Sequence, residues 1–203
     1  MSLYSTIFDL VQAIEKDISI IPELKNIVGL LQDYPPHNDT VDSHTKKVVE
    51  EMKRQDYYKN ASNKKKNILL LAAYLHDIGK GPKKKWENEV MKHAYPDHPA
   101  DAIPMLARIL IKEIETLSEE DIRLVCMLVI YHDIIADCME KGRDKKQIAD
   151  IIKDKDDLEM LFAITCADTK AISERWSRDL LIRKKSFVSE IITMKQDCVW
   201  ESY

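Results

Sequence analysis

Glycine is scarce in this chain, at 4 of 203 residues, and no Asn-Gly or Asp-Gly pair occurs. The strongest short hairpin signal is therefore missing. Long apolar runs are missing too. None approaches the ~20 residues that span a bilayer, so no membrane partner is expected. The start, "MSLYSTIFDLVQAIEK", has no basic residues leading an apolar block, which predicts no signal peptide. The four cysteines, Cys126, Cys138, Cys166 and Cys198, show no C-x-x-C spacing. They read as reduced thiols of a cytoplasmic protein. Positive charge is also short, with a net −4, so no stable nucleic-acid partner is expected. Two basic runs, Lys64–Lys66 and Lys83–Lys85, read first as solvated faces.

What is present is helical periodicity almost throughout. With 45% hydrophobic and 33% charged residues, the chain reads as one soluble, all-α domain over 1–203. Amphipathic helices are predicted at 3–16 and 22–33, then a turn-rich "DYPPHND". Asp39 or Thr40 caps a helix to about Gln55. An apolar helix over 66–78 ends before Gly79. A polar loop, 80–96, leads to a helix at 98–114, with Pro99 in its first turn and Pro104 placed to kink it. "SEED" at 118–121 resembles a capping box before a helix over 121–135. Further helices follow at 145–153, 156–173 and 174–195. The tail offers Val199, Trp200 and Tyr203 as candidate contacts.

On these helices the ionisable residues fall on buried stripes. His44 shares a face with Val41, Val48 and Met52. His98 joins Ala102, Met105 and Ile109, and His132 follows Val125 and Val129. Asp168 lines up with Leu161, Thr165 and Ile172. His76 and Asp77 end a helix that is apolar on every side. One such histidine is ordinary, because buried polar groups are normally satisfied. Five helices doing this together require a reason, since an unpaired buried carboxylate costs several kcal/mol. A metal ion supplies one: neutral imidazole and carboxylate are the ligands first-row metals prefer.

The order His44, His76-Asp77, Asp168 resembles the H…HD…D signature of the HD-domain superfamily of metal-dependent phosphohydrolases, with "HDIGKG" as its central motif. The resemblance covers about 36–175. The flanks "PPHNDTVDSHTKKVV", "KHAYPDHPADA", "YHDIIAD" and "LFAITCADTKA" are similar to the HD domain of bacterial CCA-adding tRNA nucleotidyltransferases. The last is also similar to the HD region of PII uridylyltransferases. The resemblance implies a helical bundle with a central metal site. His44, His76, Asp77 and Asp168 would bind the first ion. His98 and His132 match the further histidines of binuclear members, with Asp77 bridging. Asp133 is read as a polar residue on a helix face. One or two divalent ions are implied, drawn from manganese, iron, cobalt, nickel or zinc.

The activity implied is hydrolysis of a phosphomonoester or phosphodiester, on a nucleotide or another small phosphorylated substrate, since a divalent metal brings the pKa of bound water to near 7. Asp77 would act at the metal, Lys80 would contact a phosphate oxygen, and His93 would protonate the leaving group. His37 is the weaker histidine candidate. Tyr74, Tyr131 and Trp176 are candidate pocket aromatics, with core packing the default. The same six ligands also resemble those of di-iron oxygenases of the superfamily. A non-catalytic nucleotide- or metal-binding sensory module is the remaining alternative.

Overall fold

The computed structural model describes residues 3–200 in backbone and 3–196 in side chain. Val199, Trp200 and Tyr203, offered as contacts, lie outside the described side chains. Helix α1 (Ile7–Lys16) is opened by a Thr6–Asp9 capping box and buries Ile7, Leu10, Val11 and Ile14. The helix expected at 22–33 is only α2 (Pro22–Lys25). Gly29 takes φ 76° there, a conformation that glycine adopts without strain. Its N–H donates to Asp42 at 2.9 Å. The chain then forms β1 (Leu31–Gln32), which pairs in parallel with β2 (Val90–Met91).

Helix α3 (Val41–Arg54) is capped by Thr40, and α4 (Asp56–Asn60) follows. At the centre stands α5 (Asn63–Leu75), buried without a gap from Ile68 to Leu75. Each of its leucines contributes about 1.5–3 kcal/mol of burial. The polar loop 80–96 carries β2 and leads into α6 (His98–Lys112), which continues past Pro104. The Pro104 side chain is exposed.

The helix expected over 121–135 is two helices, α7 (Glu119–Ile130) and α8 (Ile134–Glu140). The Ser118–Asp121 capping box opens α7. The remaining elements are α9 (Lys146–Ile151), α10 (Lys155–Ile172) and α11 (Glu174–Trp200). Helix α10 packs on α3 and α11, α5 sits against α3 and α7, and α6 lies on the Ile78–Lys80 turn. One core thus touches every helix that carries a stripe histidine or Asp168. Among the described residues the architecture is all-α apart from the two-residue strands.

Candidate metal centre

Four helix ends and two helix interiors converge on Asp77. Helix α5 stops at Leu75, His76 caps it, and Asp77 steps out of helical geometry at φ −107°, ψ 8°. This turns the carboxylate into the bundle, where it is buried. Its Oδ2 lies 3.3 Å from His76 Nε2 and 3.9 Å from His44 Nε2, and its Oδ1 lies 3.3 Å from His98 Nε2. From α10, Asp168 Oδ1 sits 2.8 Å from His44 Nε2 and 3.7 Å from His76 Nε2. His132 occupies the break between α7 and α8, 3.2 Å from His98 Nε2. All six side chains proposed as ligands from the sequence therefore meet in one place.

The histidine protons identify which nitrogen faces inward. His76, His98 and His132 each donate from Nδ1 to the backbone carbonyl three residues earlier, at 2.8, 2.6 and 2.8 Å. A carbonyl only accepts, so Nε2 of each ring faces the cluster and offers it a lone pair once that ring is neutral. His76 Nε2 is buried without a hydrogen-bond partner. His98 and His132 bring two such nitrogens face to face, an arrangement that repels unless a proton or a metal ion lies between them. Histidine held by a carbonyl at one nitrogen and free at the other is how metal ligands are oriented. The residues thus fit a divalent metal, and two of the groups able to hold one, His44-His76-Asp77 and Asp77-His98-His132, share Asp77.

Electrostatics agree with a cation-binding cluster. Burial works against ionising Asp77, but the charges of His76 and Lys80 outweigh it and hold the carboxyl well below the usual range. Asp168 is likewise lowered: burial opposes, and its bond to His44 prevails. For His76, burial is overcome by the adjacent Asp77 and Asp168 charges, raising it to about 9. His98 goes the other way, to about 4, because burial and the neighbouring His132 and Lys80 disfavour its charge over Asp77's pull.

Metal uptake at pH 7 is therefore expected to expel at least one proton, from His76 and none from His98. Apparent affinity should rise about tenfold per pH unit for each proton displaced, up to about pH 9. Calorimetry in buffers of different ionisation enthalpy measures it, and uptake with no proton release would contradict the assignment of His76. The sign for stability is opposite. A raised histidine stabilises the metal-free fold below its unfolded value near 6.5, and that contribution is lost as pH rises through about 9.

The cluster lies in a cavity of about 230 Å³ lined also by Tyr34, His37, Lys80 and Asp133. Lys80 is buried and bridges Asp77 Oδ2 at 2.7 Å and Gln32 Oε1 at 2.9 Å. Burial disfavours its charge, but Asp77 more than compensates and raises it. Gln32, on β1, has no counterpart in the sequence expectations. Nothing local marks it, because its partner is 48 positions away. Asp133, read as a helix-face residue, stands at the start of α8 with its side chain 42% exposed, lining the cavity 3.4 Å from His132 Nε2.

His93 is the residue that the structure does not bring to the site. It is exposed and meets Trp86 edge to face, with ring centroids 5.8 Å apart. The polar loop swings outward there while its neighbours Ala94, Tyr95 and Pro96 line the cavity. His37 takes the position at the mouth, its ring 5.3 Å from that of His44. Burial, then the Lys80 charge, lower its pKa. Tyr74 packs near Glu15 and Lys53, away from the cluster. Lys85, from the second basic run, donates to the Gly79 carbonyl at 3.0 Å and so braces the central motif.

A family model described as "HD domain" matches residues 41–161. The chain belongs to the HD domain family. HD domains form a superfamily of metal-dependent phosphohydrolases, and the His/Asp cluster fits the metal site that this implies. Two curated relatives, each named a bifunctional uridylyltransferase/uridylyl-removing enzyme, come from Vibrio vulnificus strains YJ016 and CMCP6. Each is 28% identical over 185 aligned positions, covering 79% of this chain. The chain spans 19% of the length of these relatives. No solved structure matches the chain. No described helix is long and apolar enough to cross a membrane.

Proposed function

We propose that this HD domain hydrolyses a small phosphorylated substrate, a phosphomonoester or phosphodiester, with one or two divalent transition metals. The observation that carries the reading is the facing pair His98 Nε2–His132 Nε2 at 3.2 Å beside Asp77, opposite the His44–His76–Asp168 group. His44, His76, Asp77 and Asp168 would hold one ion, and Asp77, His98 and His132 a second. When bound, the metal would supply an acidified water and polarise the phosphoryl group. Lys80, lining the cavity beside Asp77, would take a phosphate oxygen. His37 at the mouth can hydrogen-bond a substrate oxygen. The uridylyl-removing activity in the relatives' name is compatible with phosphodiester cleavage by such a centre.

The test is metal content per chain by mass spectrometry, on protein purified without chelator or a nickel column. It is followed by a phosphatase, phosphodiesterase and oxygen-uptake screen. About two ions with phosphoester turnover is the expected result. Metal-dependent oxygen consumption without phosphoester turnover would replace the reading with the oxygenase alternative. Bound ligand with no turnover would favour the sensory module. Replacing His98 and His132 together by alanine should remove one ion of two, and unchanged stoichiometry would reduce the site to its four-residue half.

A further inference from the structure

Beyond Asp168 and His37 the metal cavity joins a larger cleft of about 520 Å³. Its walls are apolar: Ile172 at the end of α10, then Trp176 and Leu180 of α11. Trp176 leaves 46% of its surface exposed, an unusual position for an indole with core available nearby. Trp176 and Leu180 lie past residue 161, where the family match ends.

The cleft also carries Asp137, Glu140 and Asp179 against a single lysine, Lys141, which lines the metal cavity too. That lysine is already paired with Asp137 at 2.8 Å. Glu140 meets Arg183, which also donates to the Asp179 carbonyl at 3.4 Å, while the Asp179 carboxylate has Arg175 at 4.0 Å. A second phosphate entering here would meet carboxylates and no free cation among the described lining residues. A flat ring would find an indole to stack on, and its N–H groups would find carboxylate acceptors.

Resting on the phosphohydrolase reading, we infer that this cleft between α8, α10 and α11 is the leaving-group subsite. It takes the flat, uncharged or cationic, N–H-bearing part of an ester with one phosphorus. Trp176 is its platform, and the acidic lining excludes polyphosphates. A nucleoside monophosphate with an amino-bearing base has this chemistry, and a nucleoside triphosphate does not.

The experiment is calorimetric binding to the manganese-loaded chain of non-hydrolysable phosphonate analogues of adenosine mono- and triphosphate and of glycerol 3-phosphate. The monophosphate analogue should bind at least tenfold tighter than the triphosphate analogue, against the order that charge alone would give. Trp176→Ala should weaken it about tenfold and leave the glycerol analogue unchanged, and Trp176→Phe should recover most of the loss. Asp179→Asn should narrow the gap between mono- and triphosphate. Equal or tighter triphosphate binding overturns the inference, as does no monophosphate binding or an equal effect of Trp176→Ala on both small ligands. Metal content and p-nitrophenyl phosphate turnover separate the two levels. If both hold while the monophosphate fails, the subsite alone falls. If no metal is taken up, the phosphohydrolase reading falls and carries the subsite with it.

Discussion

Asp77→Asn is expected to abolish activity and lower metal affinity by more than a hundredfold. The substitution keeps the shape of the side chain, so what it removes is charge. Asp77 lies within 4 Å of Nε2 of His44, His76 and His98 and 2.7 Å from Lys80 Nζ. Groups that only orient a metal ligand already cost about 10–100-fold when changed, and Asp77 would be a ligand to both ions. The fold is affected as well. Removing one partner of a buried ion pair costs about 3–5 kcal/mol. Part of this is recovered here, since His76 can release the proton that Asp77 helped it keep. Lys80 loses its charged partner and keeps only neutral acceptors, the amide oxygen at 77 and Gln32 Oε1. Metal content by mass spectrometry and the thermal midpoint of the metal-free protein measure the two effects separately. A variant with intact metal content and full activity would remove Asp77 from the centre.

The His44 and Asp168 stripes were legible because α3 and α10 are long enough for their period to show. Val41, His44, Val48 and Met52 are all buried along α3, and Leu161 and Thr165 are buried along α10 on the way to Asp168. Expectations failed where distant partners decide the backbone. Residues 26–32 are apolar at helical spacing, yet Gly29 turns the chain so that Leu31 and Gln32 can pair with Val90 and Met91. The α7–α8 break has no proline or glycine to announce it. It forms where Thr165 Oγ1 donates to the His132 carbonyl at 2.6 Å. The same break brings His132 and Asp133 to the metal cavity. His37 and His93 both sit in polar segments, and local sequence does not tell which of two loops folds inward. Trp176 needed the placement of α11 over the cleft before it could be separated from a core aromatic.

Gly79 shows how one residue can be marked correctly for the wrong reason. The sequence suggests a helix stop, but α5 has already ended at Leu75. Gly79 is not in the left-handed region, so conformational freedom does not explain it. A Cβ added there would lie 1.8 Å from the His98 carbonyl oxygen and 2.9 Å from the Ala102 nitrogen. Both atoms are backbone, so no side chain can rotate away. Gly79→Ala should therefore push the first turn of α6 outward by about 1.5 Å to restore ordinary contact. His98 stands in that turn, with its Nδ1 proton tied to Tyr95. Overpacking of this kind costs about 1–3 kcal/mol, and a misplacement of about 1 Å costs on the order of a hundredfold in rate. The second ion should be lost first, since His44, His76 and Asp168 lie on α3, α5 and α10 rather than α6. Metal stoichiometry falling from two toward one, with the thermal midpoint lowered, is the expected outcome. A Gly79→Ala protein with unchanged stability and both ions would mean that α6 is free to slide on the central motif, and that the second site is not held by this contact.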